Sequence, residues 1–549
     1  MCAIRATEAR VSHIMSTSAA RVLLLCLVAA SVARPLRGQR VWDEFYESRQ
    51  RAPPLEATLP DYSYAGYRYS DRPIPSTPIA GRPVFNVADY GAVADDDVDD
   101  AAGIQSAIDA CARSDAGGVI QLNVGRYTVS SNADRGTLPE LVLHGSHCVL
   151  RGVARNLTNI VIQHHKVNRT YAIRVGSSKA SDHRHLASVT RSSRRETFNV
   201  SVDNARRLHV GQTVALTCQS PVLAAAHVYP LTISPSWTRL VTQGMRVYEL
   251  HTIADLDATT GTVWFQEPLH VDANVDACPF VLRAMSVDRE IGLEDLTITG
   301  RWDSVSEEFI HHASDLHDSG WAAVQVQGVR DSWLRRIDIV NCNEGITIDK
   351  SIAVTVEDVA FTGKRAHLGI IAMGSYGVLM QRLADHANHL HGFGVGFSSA
   401  GTVIRDSDAY PGQTLDMHGG LPYATLHEQV RGGKWTGNGG KLIAYPNHGR
   451  WLTIWNCVHD QGHRKRKYDV WPAGKGTSGA SSWVDIVRYQ YDSLGSQSAF
   501  ALPIIVGVQG SPMRFVNDSV LDVLEYVGEV PPVASLFESQ LSLRQSGPA

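Results

Sequence analysis

Three histidines fall within six residues of "DHANHLHGFGVGFSS" (385–399), at His386, His389 and His391, and glycines follow at 392, 394 and 396. Imidazole serves two chemistries at this density. It moves protons near neutral pH, and it ligates zinc through a ring nitrogen. Two further stretches carry similar groups. "QTLDMHGG" (413–420) sets Asp416 beside His418, and "FIHHASDLHDSGW" (309–321) holds His311, His312, Asp315, His317 and Asp318. Their spacing alone does not choose between proton transfer, metal binding and a structural corner. The elements that carry them do.

Short segments with apolar–x–x–apolar spacing recur after residue 290: "WLRRIDI", "TVEDVAF", "LMQRLAD", "VIRDSDA", "TLHEQVR" and "TIWNCVH". Their key positions are Leu334, Val356, Met380, Ile404, Leu426 and Ile454, so the steps are 22, 24, 24, 22 and 28 residues. A repeat of that length that cannot bury its apolar face alone must stack on its neighbours. Between Leu293 and Leu334 the step is 41, which puts an oversized loop at 301–320.

Strand alternation then assigns faces. Leu415 and Met417 point inward, leaving Asp416 and His418 outward together. One coil earlier Phe393, Val395 and Phe397 point inward, and Gly392, Gly394 and Gly396 form a bare outward strip. Glycine within a strand fits close approach of a ligand or of another backbone. Here the strip is either the floor of a groove or a packing surface for the 301–320 loop. One coil later Lys441 and Tyr445 are expected outward. Lys364, Arg365 and His367 lie at the preceding corner, Lys434 and Asn438 later, and "HRKRK" (463–467) beyond them. His391 shares the parity of Phe393 and is expected to be a corner residue.

The N-terminal stretch "FNVADYGAVADDDVDDAAGIQSAIDACARSDAGGVIQLNVGRYTV" (85–129) reads as strand, acidic turn, amphipathic helix, Gly-Gly turn and strand. Asp99 or Asp100 caps the helix, and Ile104, Ala107, Ile108 and Cys111 form its apolar stripe. This pattern resembles the N-terminal signature of the pectate-lyase superfamily, in particular its pectate-lyase-3-like members. The resemblance covers about 45 residues and implies an all-β chain: a single-stranded right-handed parallel β-helix with an N-terminal capping helix. It is specific for fold and poor for activity, since lyases, hydrolases, epimerases and tailspikes share it. Residues 190–285 alternate like antiparallel hairpins and are expected to be an inserted β module. The expected organisation is a signal peptide over 1–33, an extended leader over 34–80 and first coils over 81–189. The inserted module follows, then main coils over 286–510 and a C-terminal cap over 511–549.

Arg21 and the apolar run 22–33, closed by small Ser31 and Ala33, read as a secretory signal starting from Met1 or Met15. The run is too short to span a bilayer, which needs about 20 residues. Six cysteines remain after it, without a CxxC pair, and Cys218–Cys278 is the expected disulfide. Sequons at Asn156, Asn168, Asn199 and Asn517 fit a secreted glycoprotein. With 51 Lys+Arg against 55 Asp+Glu, the net charge of −4 argues against nucleic acid or a membrane surface as a global partner.

The resemblance implies a carbohydrate substrate, and the basic, histidine-rich corners favour an acidic, uronic-acid polymer. The expectation is a secreted, monomeric polysaccharide lyase (a carbon–oxygen lyase) acting by β-elimination. Abstraction of the proton next to the uronate carboxylate needs a base, and the anion that forms needs a cation or donors. His418 or His389 is the expected base, Tyr445 or His317 the acid, and Asp416 the residue that orients His418. Arg365 or Lys441 would neutralise the carboxylate, with Lys434, His386, Asn438, Gly394 and Gly396 lining the substrate. No cofactor is required on this reading; the alternative is a zinc ion between His389, His391 and Asp416 or His418, or a calcium ion on aspartates. Other activities fit the same scaffold. Asp416-Met417-His418 is similar to the Asp-Pro-His core of alginate C5-epimerases, though Met417 and Gly419 depart from it. A glycoside hydrolase of the polygalacturonase type lacks its paired aspartates here, and the Trp-x-Asp-His strand of calcium pectate lyases is also missing. A non-catalytic adhesin would bind polysaccharide and tolerate loss of every histidine.

Overall fold

The computed structural model describes residues 40–51, 56–76, 81–129, 138–176, 183–233, 237–435, 445–460, 468–470, 501–511, 513–515 and 522–547, with the backbone alone for 468–470 and 513–515. The signal run 1–33, Asn438, Lys441, the 463–467 basic run and Asn517 lie outside the described residues. No helix among the described residues is long and apolar enough to cross a membrane. Residues 1–57 and 58–549 form two compact units. In the first, Arg40–Arg49 is a helix in which Trp42 stacks on Phe45, where an extended leader was expected.

The second unit is a parallel β-helix. Twelve strands follow one another in one sheet, from Val84–Asn86 through Gly292–Thr299, Val329–Val340, Ile352–Thr362, Leu379–Asp385, Ala400–Arg405, Tyr423–Glu428 and Leu452–Trp455 to Val523–Glu525. The second sheet runs through Leu141–Leu143, Tyr171–Val175, Ala322–Gln327, Glu344–Asp349, Leu368–Met373, His391–Gly396 and Thr414–Met417. Successive coils pair in parallel, so each inward apolar residue lies over its counterpart one coil on. Leu293, Leu334, Val356, Met380 and Ile404 form such a ladder, as the repeat predicts.

The next rung corrects the repeat by one residue. His427, not Leu426, lies beside Ile404, and Ile454 lies beside His427. His427 is completely buried there with no hydrogen bond to either ring nitrogen among the described residues. Burial, with a smaller contribution from His448, pushes its pKa down to about 3, so this imidazole is neutral and acts as an apolar ring.

At the N-terminal end the helix Ala101–Ala112 buries Ile104, Ala107, Ile108 and Cys111 over the first coils. Asp99 accepts a hydrogen bond from the Ala101 amide. Asp100 instead accepts from the amides of Val93 and Thr128, tying the acidic turn to the following strand. Cys111 is joined to Cys148 in a disulfide that the spacing did not reveal; Cys218–Cys278 forms as expected.

The inserted module is a closed antiparallel barrel. Its strands are His185–Arg191, Asn199–Val202, Thr213–Ser220, Met245–Asp257, Thr262–Phe265 and Val281–Ala284. It therefore begins about five residues earlier than the alternation suggested. Its buried histidines meet the β-helix: the His251 and His270 rings pack on Tyr376, and His227 accepts a hydrogen bond from the Arg450 amide.

The segments near both ends of the second unit lie along the first sheet. Residues 58–70 run over its outer face, where the Tyr62 hydroxyl bonds Trp451 O and Thr453. The C-terminal helix Leu536–Ser546 lies against the same flank, with the Phe537 amide donating to Glu428. Gln540 accepts from the Tyr62 amide and donates to Pro60 O. The expected C-terminal cap is thus a flanking helix. Within the segment expected to close the stack, Val523–Glu525 is the last rung of the first sheet.

Candidate functional site

Residues at the ends of second-sheet strands bring imidazoles from successive coils together. His367 immediately precedes the strand Leu368–Met373, His391 opens the next, and His418 follows Thr414–Met417. Ring centroids are 5.1 Å apart for His367–His391 and 5.2 Å for His391–His418. The oversized loop supplies a fourth ring, His311, whose centroid lies 5.2 Å from His367 and 5.3 Å from His391.

Sequence parity fails at His391 for a visible reason. Leu368 pairs with His391 and Ile370 with Phe393, but the next coil breaks register between His391 and Gly394. His391 holds the strand-opening position that Glu344 and Leu368 hold in the two coils before, outside the core row, and it is the centre of the cluster rather than a corner residue. The glycines explain the rest. A Cβ on Gly394 would stand 2.6 Å from Asp416 O and 2.9 Å from Asp416 Cβ; on Gly392 it would meet the Gln413 side chain at 2.7 Å. A Cβ on Gly396 would lie 3.2 Å from the His418 Cβ. All three glycines are buried. The bare strip is therefore not an open floor: the next coil fills it, and its emptiness lets Asp416 and His418 settle close to the sheet.

Asp416 is 1% exposed, and its Oδ2 lies 2.7 Å from His418 Nδ1. Burial opposes its charge, but His391 and His418 outweigh this and hold the carboxyl far below the usual range. Burial likewise disfavours charge on His418, yet the Asp416 carboxylate raises its pKa. With Nδ1 held by Asp416, the half-buried His418 keeps Nε2 for another group. The charge of Arg169, whose guanidinium lies 3.9 Å from Glu344, acts against protonation of His418. Phe397, expected inward, is instead 53% exposed, with its ring centroid 6.5 Å from His418.

Beneath the cluster, Glu344 fixes His367. The His367 Nδ1 lies 3.1 Å from Glu344 Oε1 and 2.9 Å from Asp318 O. Burial raises the Glu344 pKa, but His367 and the Tyr171 hydroxyl, 2.6 Å away, bring it below normal. The loop is held by Trp302, fully buried, whose indole donates to Arg365 O, and by Lys364, which donates to Val305 O. His312 caps Asp318 from outside, with Nδ1 2.7 Å from Oδ2. Burial and the three neighbouring imidazoles lower the His311 pKa to about 3.

The other expected site residues disperse. His389 is buried against Asp385, Nδ1 to Oδ2 3.0 Å, so the zinc set that included it does not form. His317 turns into its own loop, accepting from the Ile310 amide and pairing with Glu307. His386 and Arg365 are exposed, and Arg365 sits over Phe309. Lys434 is half-buried and its strand position bridges Thr414; Tyr445 is half-buried. What the sequence reading missed is the set His311, His367 and His391 together with Arg169 and Phe397. His311 and His367 were visible as histidines, but only the docked loop and the coil register bring them to His391.

Residues 388–548 match the family described as "Domain of unknown function (DUF4955)". Among curated proteins none matches the chain significantly. Several solved structures are similar at low identity. The tailspike protein gp49 of Pseudomonas phage LKA1 is 11% identical, with TM-score 0.46, covering 78% of this chain and 70% of its own. The AlgE4 A-module of mannuronan C-5 epimerase from Azotobacter vinelandii is 14% identical, TM-score 0.37, over 82% of this chain and 79% of its own. PfbA, a surface adhesin of Streptococcus pneumoniae, is 13% identical, TM-score 0.39, over 82% and 80%. At these scores the likenesses carry no argument, and the parallel β-helix is fixed by this chain's own strand pairing.

Proposed function

We propose that this chain is an extracellular enzyme acting on a uronic-acid polysaccharide, and that it cleaves the polymer by β-elimination. The observation that carries the reading is the Asp416–His418 pair, a buried carboxylate holding one nitrogen of a half-buried imidazole. Such a carboxylate fixes tautomer and orientation, leaving the other nitrogen to take a proton from substrate. His418 is the base that removes the C5 proton of the uronate. Arg169 is the cation on this side of the cluster suited to the substrate carboxylate, replacing Arg365 in that role. Phe397 offers an exposed ring face beside His418 on which a sugar can stack. An extracellular location is supported by the two disulfides and by exposed Asn156 and Asn168 in sequons.

The purified chain is to be incubated with polymannuronate, polygalacturonate and glucuronan while the ultraviolet absorbance of the unsaturated product is followed. Absorbance growth that His418→Ala abolishes is the expected result. Incorporation of solvent deuterium at C5 without new chain ends would instead identify an epimerase. Binding without either change, unaffected by His418→Ala, would leave a polysaccharide-binding protein and overturn the enzymatic reading.

A further inference from the structure

His311, His367 and His391 each present a ring nitrogen, and these nitrogens lie within 4.8 Å of one another. His367 and His391 are 2% and 3% exposed, and His311 is half-buried. A pack of imidazoles in this environment needs a reason, because each buried polar nitrogen without a partner costs free energy.

Two observations go beyond proximity. Neither ring nitrogen of His391 makes a hydrogen bond among the described residues. Its Nδ1 is 3.3 Å from Asp416 Oδ2, close enough for ionic attraction but without hydrogen-bond alignment. The second concerns His367. Its Nδ1 faces only acceptors, Asp318 O and Glu344 Oε1, so Nδ1 carries a proton and Nε2 is the nitrogen left for a ligand. A ligating histidine whose other nitrogen is held by a carboxylate or a carbonyl is the usual outer-shell arrangement of a metal site.

We infer that His311, His367 and His391 form a binding site for one divalent transition-metal ion of the zinc type. Three neutral imidazoles suit zinc, which takes three protein ligands and an open fourth position in its reactive sites. They do not suit calcium, which takes oxygen ligands. The three ligands come from two adjacent coils and the oversized loop, so the loop closes the site by bringing in His311. Asp416 and His418 adjoin the set through His391, whose Nδ1 lies 3.3 Å from Asp416 Oδ2. There the ion places fixed positive charge beside the proposed base, a use that rests on the proposed function although the binding site does not.

Zinc and cobalt titrations of the dialysed full-length chain test this without any measurement of activity. Isothermal titration and metal analysis should give about one ion per chain, and cobalt should show the visible absorption of a tetrahedral nitrogen-rich site. His391→Gln, His367→Gln and His311→Gln should each weaken binding by more than about 100-fold, the upper end of outer-shell effects. Glu344→Gln, which weakens what holds His367 while keeping an acceptor for the Tyr171 hydroxyl, should weaken it by about 10–100-fold. His418→Ala should retain the ion. Circular dichroism and melting of each variant separate lost ligands from lost fold, and His311→Gln, on the loop, is the variant least exposed to misfolding. Binding of fewer than half an equivalent overturns the inference. So does retention of the ion by folded His311→Gln with its loss in His418→Ala, which would move the site to His391, Asp416 and His418. A chain that binds zinc but cleaves no uronan keeps this inference and discards the proposed function.

Discussion

The barrel seam and the second-sheet cluster are both rich in histidine, and they treat it in opposite ways. At the seam His251 is completely buried with Nδ1 2.9 Å from Glu267 and Nε2 3.2 Å from Glu249. His270 pairs with Glu196 at 3.0 Å, and its amide donates to Glu249. Every ring nitrogen of His251 is spoken for, and burial is outweighed by two carboxylates that raise its pKa to about 9. In the cluster four rings share two carboxylates, Asp416 and Glu344, and His391 is left without a hydrogen bond. Satisfied histidines hold the barrel to the β-helix. The unsatisfied His391 is the one on which the proposed metal site rests, whereas the equally unsatisfied His427 is sealed in the apolar ladder.

This contrast can be broken most sharply at His418. His418→Ala should lower uronan cleavage by about 100- to 10,000-fold, read on the folded fraction, since removing the ring leaves the buried Asp416 carboxylate without its hydrogen bond and should cost about 1–3 kcal/mol. His251→Ala should cost more stability and no activity. It strands two buried carboxylates and should cost about 3–5 kcal/mol of stability, read by denaturant unfolding, with activity retained wherever the chain stays folded. Gly394→Ala comes next. Its Cβ would press on the Asp416 backbone, so a cost of about 1–3 kcal/mol is expected, together with a drop in kcat that His251→Ala does not share. The smallest effect is in pH. The folded pKa of His251, about 9, lies above its ordinary 6.5. The triad's contribution is therefore complete below about 6.5 and is lost as pH rises through about 9. Melting temperature should fall across that window, and His251→Gln should flatten the fall.

The fold was legible in the sequence wherever inward positions were apolar, because stacking forces one apolar residue per coil onto the next. Leu293, Leu334, Val356, Met380 and Ile404 follow that rule without exception. The reading slipped at Leu426 because the inward residue of that coil is His427, and a neutral buried imidazole does not look apolar in a sequence. It slipped again at Phe397, which the alternation turned inward although the chain leaves the strand at Gly396 and exposes the ring. In the site, Asp416 and His418 were legible from parity, since both follow a regular inward pair, Leu415 and Met417. His391 was not, because the residue that opens each of these strands leaves the inward row that alternation assigns it, as Glu344 and Leu368 also do. His311 was not chosen over His317 because the loop's internal contacts, not its spacing, decide which ring turns toward the sheet. The Cys218–Cys278 pairing was legible within one module; Cys111–Cys148 joins a helix to a strand one coil on, a contact that only stacking creates.

A stack of coils can in principle unravel from either end, one rung at a time. Here Gln540, near the C-terminus, is tied by two hydrogen bonds to Pro60 and Tyr62, and Arg544 donates to Ser63 O and Tyr69 O. That clasp turns an open ladder into a closed loop of chain. Tension applied across residues 60 and 544 loads the clasp before any rung. The rungs that carry the histidines lie within the span of chain that the clasp closes.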